Sequence, residues 1–129
     1  MVVVDTSAIV EYLLGIEYGE WVAARLDGED EVHAPHVIDV EVFGVVRRLV
    51  GMGRLSPQRA EAALTGLVDL RLVRYAHVPL LGRMWQLREN VSPRDAAFVS
   101  LAELLGAELV TTDGRLARAP GIRATVLTP

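Results

Sequence analysis

Five short runs of strand-forming residues, separated by stretches with helical spacing, limit this chain to a small set of architectures. Val2 to Val4 opens the series, and branching at the β-carbon makes valine a stiff strand former. Further strands are expected at Val32 to Ala34, at Leu72 to Tyr75, within ELVTTD from Glu108 to Asp113, and as an edge strand from Ala124 to Leu127. Between them, Thr6 to Leu14 repeats Ile9, Val10, Leu13 and Leu14 at helical spacing, Tyr18 to Leu26 reads as a second short helix, and the apolar stretch from His36 to Val50 is too long for a strand. Ser56-Pro57 and Ser92-Pro93 are helix starts of N-cap plus N1 proline, and Gly106 is placed to end the second of these helices. Pro79 to Glu89 is expected to form a further helix, and Arg115 to Ala119 a helical turn. Such alternation predicts an α/β fold, a three-layer sandwich whose central, mostly parallel sheet is covered by helices on both faces. At 129 residues, the expectation is one domain over 1–129.

Asp5 is the first residue to break this pattern. It follows three valines directly, and Asp113 follows Glu108-Leu-Val-Thr-Thr in the same way. In open α/β sheets, ligands bind beyond the carboxyl ends of the strands, so both acids stand where a site would be. Each also has a simpler reading as the N-cap of the next helix. Asp95, three residues after Ser92, occupies a capping-box position and favours a helix N-terminus by its charge alone. Glu41 is harder to explain structurally, because its helical neighbours Val37, Ile38, Gly44 and Val45 form an apolar stripe. Asp39 is a weaker case of the same kind.

If Asp5, Glu41, Asp95 and Asp113 converge, their repulsion has to be relieved, since two unit charges ~4 Å apart repel by about 4 kcal/mol at an effective dielectric near 20. The chain contains no cysteine, so thiolate metal sites and disulfides are excluded. An all-oxygen donor set suits Mg²⁺, with Mn²⁺ as a substitute, and such ions are commonly held between carboxylates and substrate phosphate.

These residues resemble the PIN-domain ribonucleases, and within them the VapC toxins of bacterial toxin–antitoxin pairs. The resemblance rests on VVVDTSAIV, on APHVIDVEVFGVVRRL with its spacing from proline to glutamate, and on SPRDAAFVSLAELLGAELVTTDGRLAR, in that order along nearly the whole chain. It implies a PIN-like sandwich and metal-dependent hydrolysis of RNA, with Asp5, Glu41, Asp95 and Asp113 as the acidic quartet around Mg²⁺ and Thr6 assisting the first aspartate. The position before the third acid, often aromatic in such toxins, is Arg94 here. Arg94 and Arg115 are the candidates for holding the RNA backbone at the rim of the site. The resemblance further implies a homodimer, neutralised by a small antitoxin protein whose C-terminal segment lies in an apolar groove. Ile16, Tyr18 and Trp21 are the sequence's candidates for that groove.

Charge is unevenly distributed. Residues 1–46 carry ten acidic side chains against Arg25, whereas residues 47–129 carry seven against twelve arginines, within an overall net charge of −4. No signal-peptide pattern opens the chain and no apolar run approaches the roughly 18 residues of a membrane span, so the expected compartment is the cytoplasm. A haloacid-dehalogenase-type phosphatase would need a second acid where Ser7 stands, and a phospho-acceptor receiver domain needs a lysine that this chain lacks. His33, His36 and His77 form no metal triad by spacing and read as structural. Two alternatives stay open at this level: a non-catalytic PIN-like binding module, and a general single-strand nuclease outside any toxin–antitoxin pair.

Overall fold

The computed structural model describes residues 1–129. Its centre is β1 (Val2–Val4), whose three valines are buried because the strand has neighbours on both sides and helices on both faces. Asp5 caps the N-terminus of α1 (Thr6–Leu14), which ends at Gly15 in a left-handed conformation at φ 63°. Glycine adopts that conformation without the steric cost a side chain would bring. After α2 (Gly19–Leu26) come β2 (Val32–Pro35), α3 (Val37–Gly51), α4 (Pro57–Asp69) and β3 (Leu72–Tyr75). A 3-10 turn over Val78–Leu80 leads into α5 (Leu81–Gln86), then α6 (Pro93–Leu105), β4 (Glu108–Val110), α7 (Gly114–Ala117) and β5 (Val126–Leu127). The helix starts at Ser56 and Ser92 and the stop at Gly106 fall where the sequence puts them.

Every strand pairing is parallel, in the order β3-β2-β1-β4-β5, so the sheet is wholly rather than mostly parallel. The chain steps outward from β1 through β2 to β3, returns to the other side of β1 as β4, and continues to β5. Right-handed crossovers then place α1 to α4 on one face and α5 to α7 on the other. Packing agrees with this, since α1 contacts α2, α3 and α4, while α6 contacts β1, β2, β4 and α5. Between sheet and α5, α6 is buried continuously from Ala96 to Ala102. Strand order reverses between β1 and β4, and the carboxyl ends of these two strands border the crevice where such folds bind ligands. No helix is long and apolar enough to cross a membrane.

Several elements are shorter than their sequences suggest, and the edge strand expected from Ala124 covers only Val126–Leu127. The helix expected from Pro79 to Glu89 is divided, because Pro79 has no N–H to give and the chain starts as a 3-10 turn with Leu80 N donating to His77 O at 2.8 Å. Leu81–Gln86 alone is α-helical. ELVTTD leaves the strand after Val110, for a reason found at the site.

The turn between α1 and α2 depends on a missing side chain: a Cβ at Gly19 would stand 2.6 Å from the Glu11 carbonyl oxygen. Gly19→Ala is expected to destabilise the fold by about 1–3 kcal/mol in urea unfolding, the usual penalty of overpacking against a fixed backbone. An unchanged midpoint would show that this junction can relax.

Candidate active site

Asp5 continues the line of β1, its N–H donating to Val110 O at 3.1 Å, and the residue is 5% exposed. Three donors hold it. Oδ1 accepts from Ala8 N at 3.0 Å and from Ser7 Oγ at 2.7 Å, and Oδ2 accepts from Thr111 Oγ1 at 2.5 Å. Capping and site-building are thus performed by the same carboxylate. Burial raises its pKa to about 6; the hydrogen bonds from Thr111, Ala8 and Ser7 work against that rise, and the charge of Asp95 adds to it.

Ser7 and Thr111 carry no acid and escape a search for ligands, yet they tie the two strand tips together. Ser7 Oγ also accepts from Thr112 N at 3.1 Å, and Thr111 Oγ1 accepts from Asp113 N at 3.0 Å. Thr111 N still donates to Leu127 O at 3.0 Å while its side chain turns to Asp5, and Thr112 N gives its bond to Ser7 instead of a neighbouring strand, so the ladder ends here. The signal was present as hydroxyl residues beside both aspartates, but Thr in such a run reads as a strand former.

Asp95 stands in the first turn of α6, its N–H donating to Ser92 Oγ at 3.2 Å. Asp113 caps α7 by accepting from Arg115 N at 3.0 Å, and its two oxygens receive the Arg115 guanidinium at 3.3 and 3.4 Å. Burial acts to raise the Asp113 pKa, but the hydrogen bonds and charge of Arg115, with the charge of Arg118, hold it below the ordinary carboxylate value. Asp5, Asp95 and Asp113 border one cavity of about 500 Å³, together with Arg48, Arg94 and Arg115. Arg48 lies two helical turns beyond Glu41 on α3, a spacing legible in sequence, and it alone among these arginines has no carboxylate partner within 4 Å.

Glu41 adjoins this cavity through two neighbours. Its Oε1 accepts from Thr6 Oγ1 at 2.7 Å, so Thr6 serves Glu41 rather than the expected Asp5, whose hydroxyl donors are Ser7 and Thr111; Oε2 is buried without a hydrogen bond. Arg94 Nε stands 3.1 Å from Oε2 but out of line for a hydrogen bond. Glu41 thus lies at the margin of the inward face of α3, where Ile38 is buried, Val37 and Val45 are half-buried and Gly44 is exposed. Asp39 faces elsewhere, in a two-pronged pair with Arg74 at 2.7 and 2.8 Å. Two of the histidines have structural roles: His33 Nδ1 pairs with Tyr75 OH at 2.8 Å, and His77 Nε2 accepts from Val37 N at 3.0 Å, while His36 is exposed.

Larger concavities of about 900 and 640 Å³ lie at the opposite ends of the strands, where Glu29, Asp30 and Arg71 border both. They are open hollows between loops, with no buried, unpaired carboxylate oxygen such as Glu41 Oε2 at the other end. At the strand tips the donor set fits a hard divalent cation: four carboxylates, no sulfur, and one buried oxygen left unbonded on Glu41. In the arrangement seen, no three of these acids stand close enough to enclose an ion together; Glu41 and Asp113 face arginines instead.

A wholly parallel sheet with acids at its switch point is the architecture of a PIN domain. Residues 2–122 match the PIN domain family, and the chain belongs to it. It is 40% identical over 126 residues to ribonuclease VapC12 of Mycobacterium tuberculosis, covering 98% of this chain and 97% of that protein. To ribonuclease VapC1 of the same organism it is 43% identical over 121 residues, covering 93% and 91%. The crystal structure of VapBC2 from Rickettsia felis bound to a promoter DNA fragment aligns with a TM-score of 0.73, across 100% of this chain and 99% of that one, at 14% identity, a likeness of fold.

The Asp5 environment has a consequence for stability. Its carboxyl ionises near pH 6 in the folded protein and near about 3.9 in an unfolded chain. Because the native state holds this proton more tightly, Asp5 imposes no penalty below about pH 4 and an increasing one as pH rises through about 6. In metal-free buffer, Asp5→Asn should gain on wild type by about 2–3 kcal/mol between about pH 4 and pH 7, read from urea unfolding at each pH. A stability difference that does not change with pH would contradict the burial assigned to this group.

Proposed function

We propose that this protein is a metal-dependent endoribonuclease, hydrolysing RNA phosphodiester bonds as the toxin of a bacterial toxin–antitoxin pair and so inhibiting translation and growth. The observation that carries this reading is the buried Asp5 carboxylate at the sheet's switch point, sharing a cavity with Asp95 and Asp113 and flanked by Glu41. Identity of 40% and 43% to two proteins named ribonucleases supports the same activity.

In this reading Asp5, Glu41, Asp95 and Asp113 hold Mg²⁺, for which Mn²⁺ can substitute. When bound, such an ion supplies a water of lowered pKa and positive charge for the phosphorus oxygens. Ser7, Thr111 and the Ala8 amide fix the Asp5 carboxylate so that it meets the ion in one orientation, and Thr6 does the same for Glu41. Arg48, with no acid to satisfy, holds the backbone beside the scissile bond, joined by Arg94 and Arg115 once their carboxylates are otherwise engaged. The acids recognise phosphate and leave the nucleotide sequence to other contacts.

The functional unit is residues 1–129 as one domain, acting in the cytoplasm as a homodimer with a small antitoxin partner. Exposed Val78, Leu81 and Trp85 on the α5 segment, beside Leu104 on α6, support a self-associating face. Ile16 and Tyr18 are exposed at the junction of α1 and α2 and support an apolar seat for the antitoxin, whereas Trp21 packs against the core and stacks with Arg25.

Purified Asp5→Asn or Asp95→Asn protein should lose RNA cleavage by at least about a hundredfold while keeping its circular dichroism spectrum, since each change removes one of several repelling charges. Wild-type activity in either variant would refute the assignment. Expression of the wild-type chain in a bacterial host should arrest growth, with relief by the Asp5→Asn change; harmless accumulation of folded wild-type protein would favour a non-catalytic binding module.

A further inference from the structure

Glu41 poses a problem that the acid quartet alone does not resolve. Its side chain is 8% exposed, one oxygen is bonded to Thr6, and the other is buried with no hydrogen bond. A buried ionised oxygen left in this condition is costly unless a cation stands beside it. The cation within ion-pair distance is Arg94, whose Nε approaches to 3.1 Å from the first turn of α6 while its side chain remains 71% exposed.

The pair is asymmetric. Glu41 is fixed by α3 and by Thr6 and cannot follow its partner into solvent. Arg94 is solvated, meets the carboxylate off the hydrogen-bond axis, and regains rotamer freedom on leaving. A divalent ion at the same oxygen would exert twice the charge without that entropic loss. Arg115 stands on Asp113 in a similar way, and no three acids gather while the arginines are in place.

We propose that Arg94 is a built-in counter-ion that competes with the divalent cation for Glu41, so that this side chain sets the metal affinity of the site. The inference rests on the reading of the four acids as a metal site. It makes Arg94 a positioning residue: it satisfies Glu41 when the ion is absent and weakens metal binding in proportion to the charge it places there.

Titration of the metal-free protein with MnCl₂, followed by isothermal calorimetry and by loss of the free Mn²⁺ paramagnetic resonance signal, tests this without any cleavage assay. Arg94→Ala should tighten Mn²⁺ binding by about three- to tenfold, and Arg94→Lys, which keeps the charge, should stay within about twofold of wild type. Glu41→Gln should weaken binding, and the gain from Arg94→Ala should vanish in the Glu41→Gln background. An unchanged or weaker affinity in Arg94→Ala, with Glu41→Gln still weakening binding, would overturn the role of Arg94 and leave the metal site standing. Absence of Mn²⁺ binding in both wild type and Arg94→Ala would overturn the metal reading itself and the inference with it, whereas binding indifferent to Glu41→Gln would overturn the inference and leave Asp5, Asp95 and Asp113 as the ligands.

Discussion

A carboxylate buried at the tip of a central strand is the constraint on which this structure turns. Asp5 could not lie there without donors, and it has three, drawn from its own helix and from the loop after β4. Those bonds fix the start of α1 and pin the two strand tips bordering the crevice, and Ser7 also takes the Thr112 N–H out of the ladder. The cost of the buried charge is visible in a pKa displaced to about 6. A chain selected only for stability would place an apolar residue or a neutral cap at this position.

Topology supplies the remaining acids. Asp113 follows β4 because β4 is the parallel neighbour of β1, Asp95 enters from the first turn of the helix that covers the sheet's centre, and Glu41 arrives from α3 on the other face. Four segments far apart in sequence thus supply the negative charge bordering one crevice. Arginines offset it in part. Arg94 and Arg115 stand on acids, while Arg48 faces the same cavity unpaired, so the site combines attraction for a cation at its floor with attraction for phosphate at its rim.

Much of this was legible from residue order. Helix starts at Ser56-Pro57 and Ser92-Pro93 and the stop at Gly106 are governed by local backbone chemistry, and they fall where local rules put them. Apolar neighbours mark Glu41 as out of place, but α3 is apolar nearly all round, and its inward face is fixed only by packing, which buries Ile38 and leaves Gly44 exposed. Other features depend on tertiary contact and had no local mark. Ser7 and Thr111 reveal their role only when β1 and β4 are paired, and the engagement of Arg94 with Glu41 requires side chains from helices on opposite faces of the sheet to reach the same crevice. The helix expected at Pro79 to Glu89 was overextended because its apolar spacing outlasts the backbone geometry that Pro79 permits. Asp39, plausible as a second buried acid, is satisfied from β3 by Arg74, which reaches across to α3.

The central claim is that the acids bordering the crevice between β1 and β4 hold a divalent ion. Anomalous diffraction from crystals grown with Mn²⁺ tests it most directly. The account predicts a manganese peak in contact with the Asp5 carboxylate, with oxygens of the other acids drawn toward it. A crevice without manganese beside an occupied site elsewhere, such as the acidic loop around Glu29 and Asp30, would contradict it.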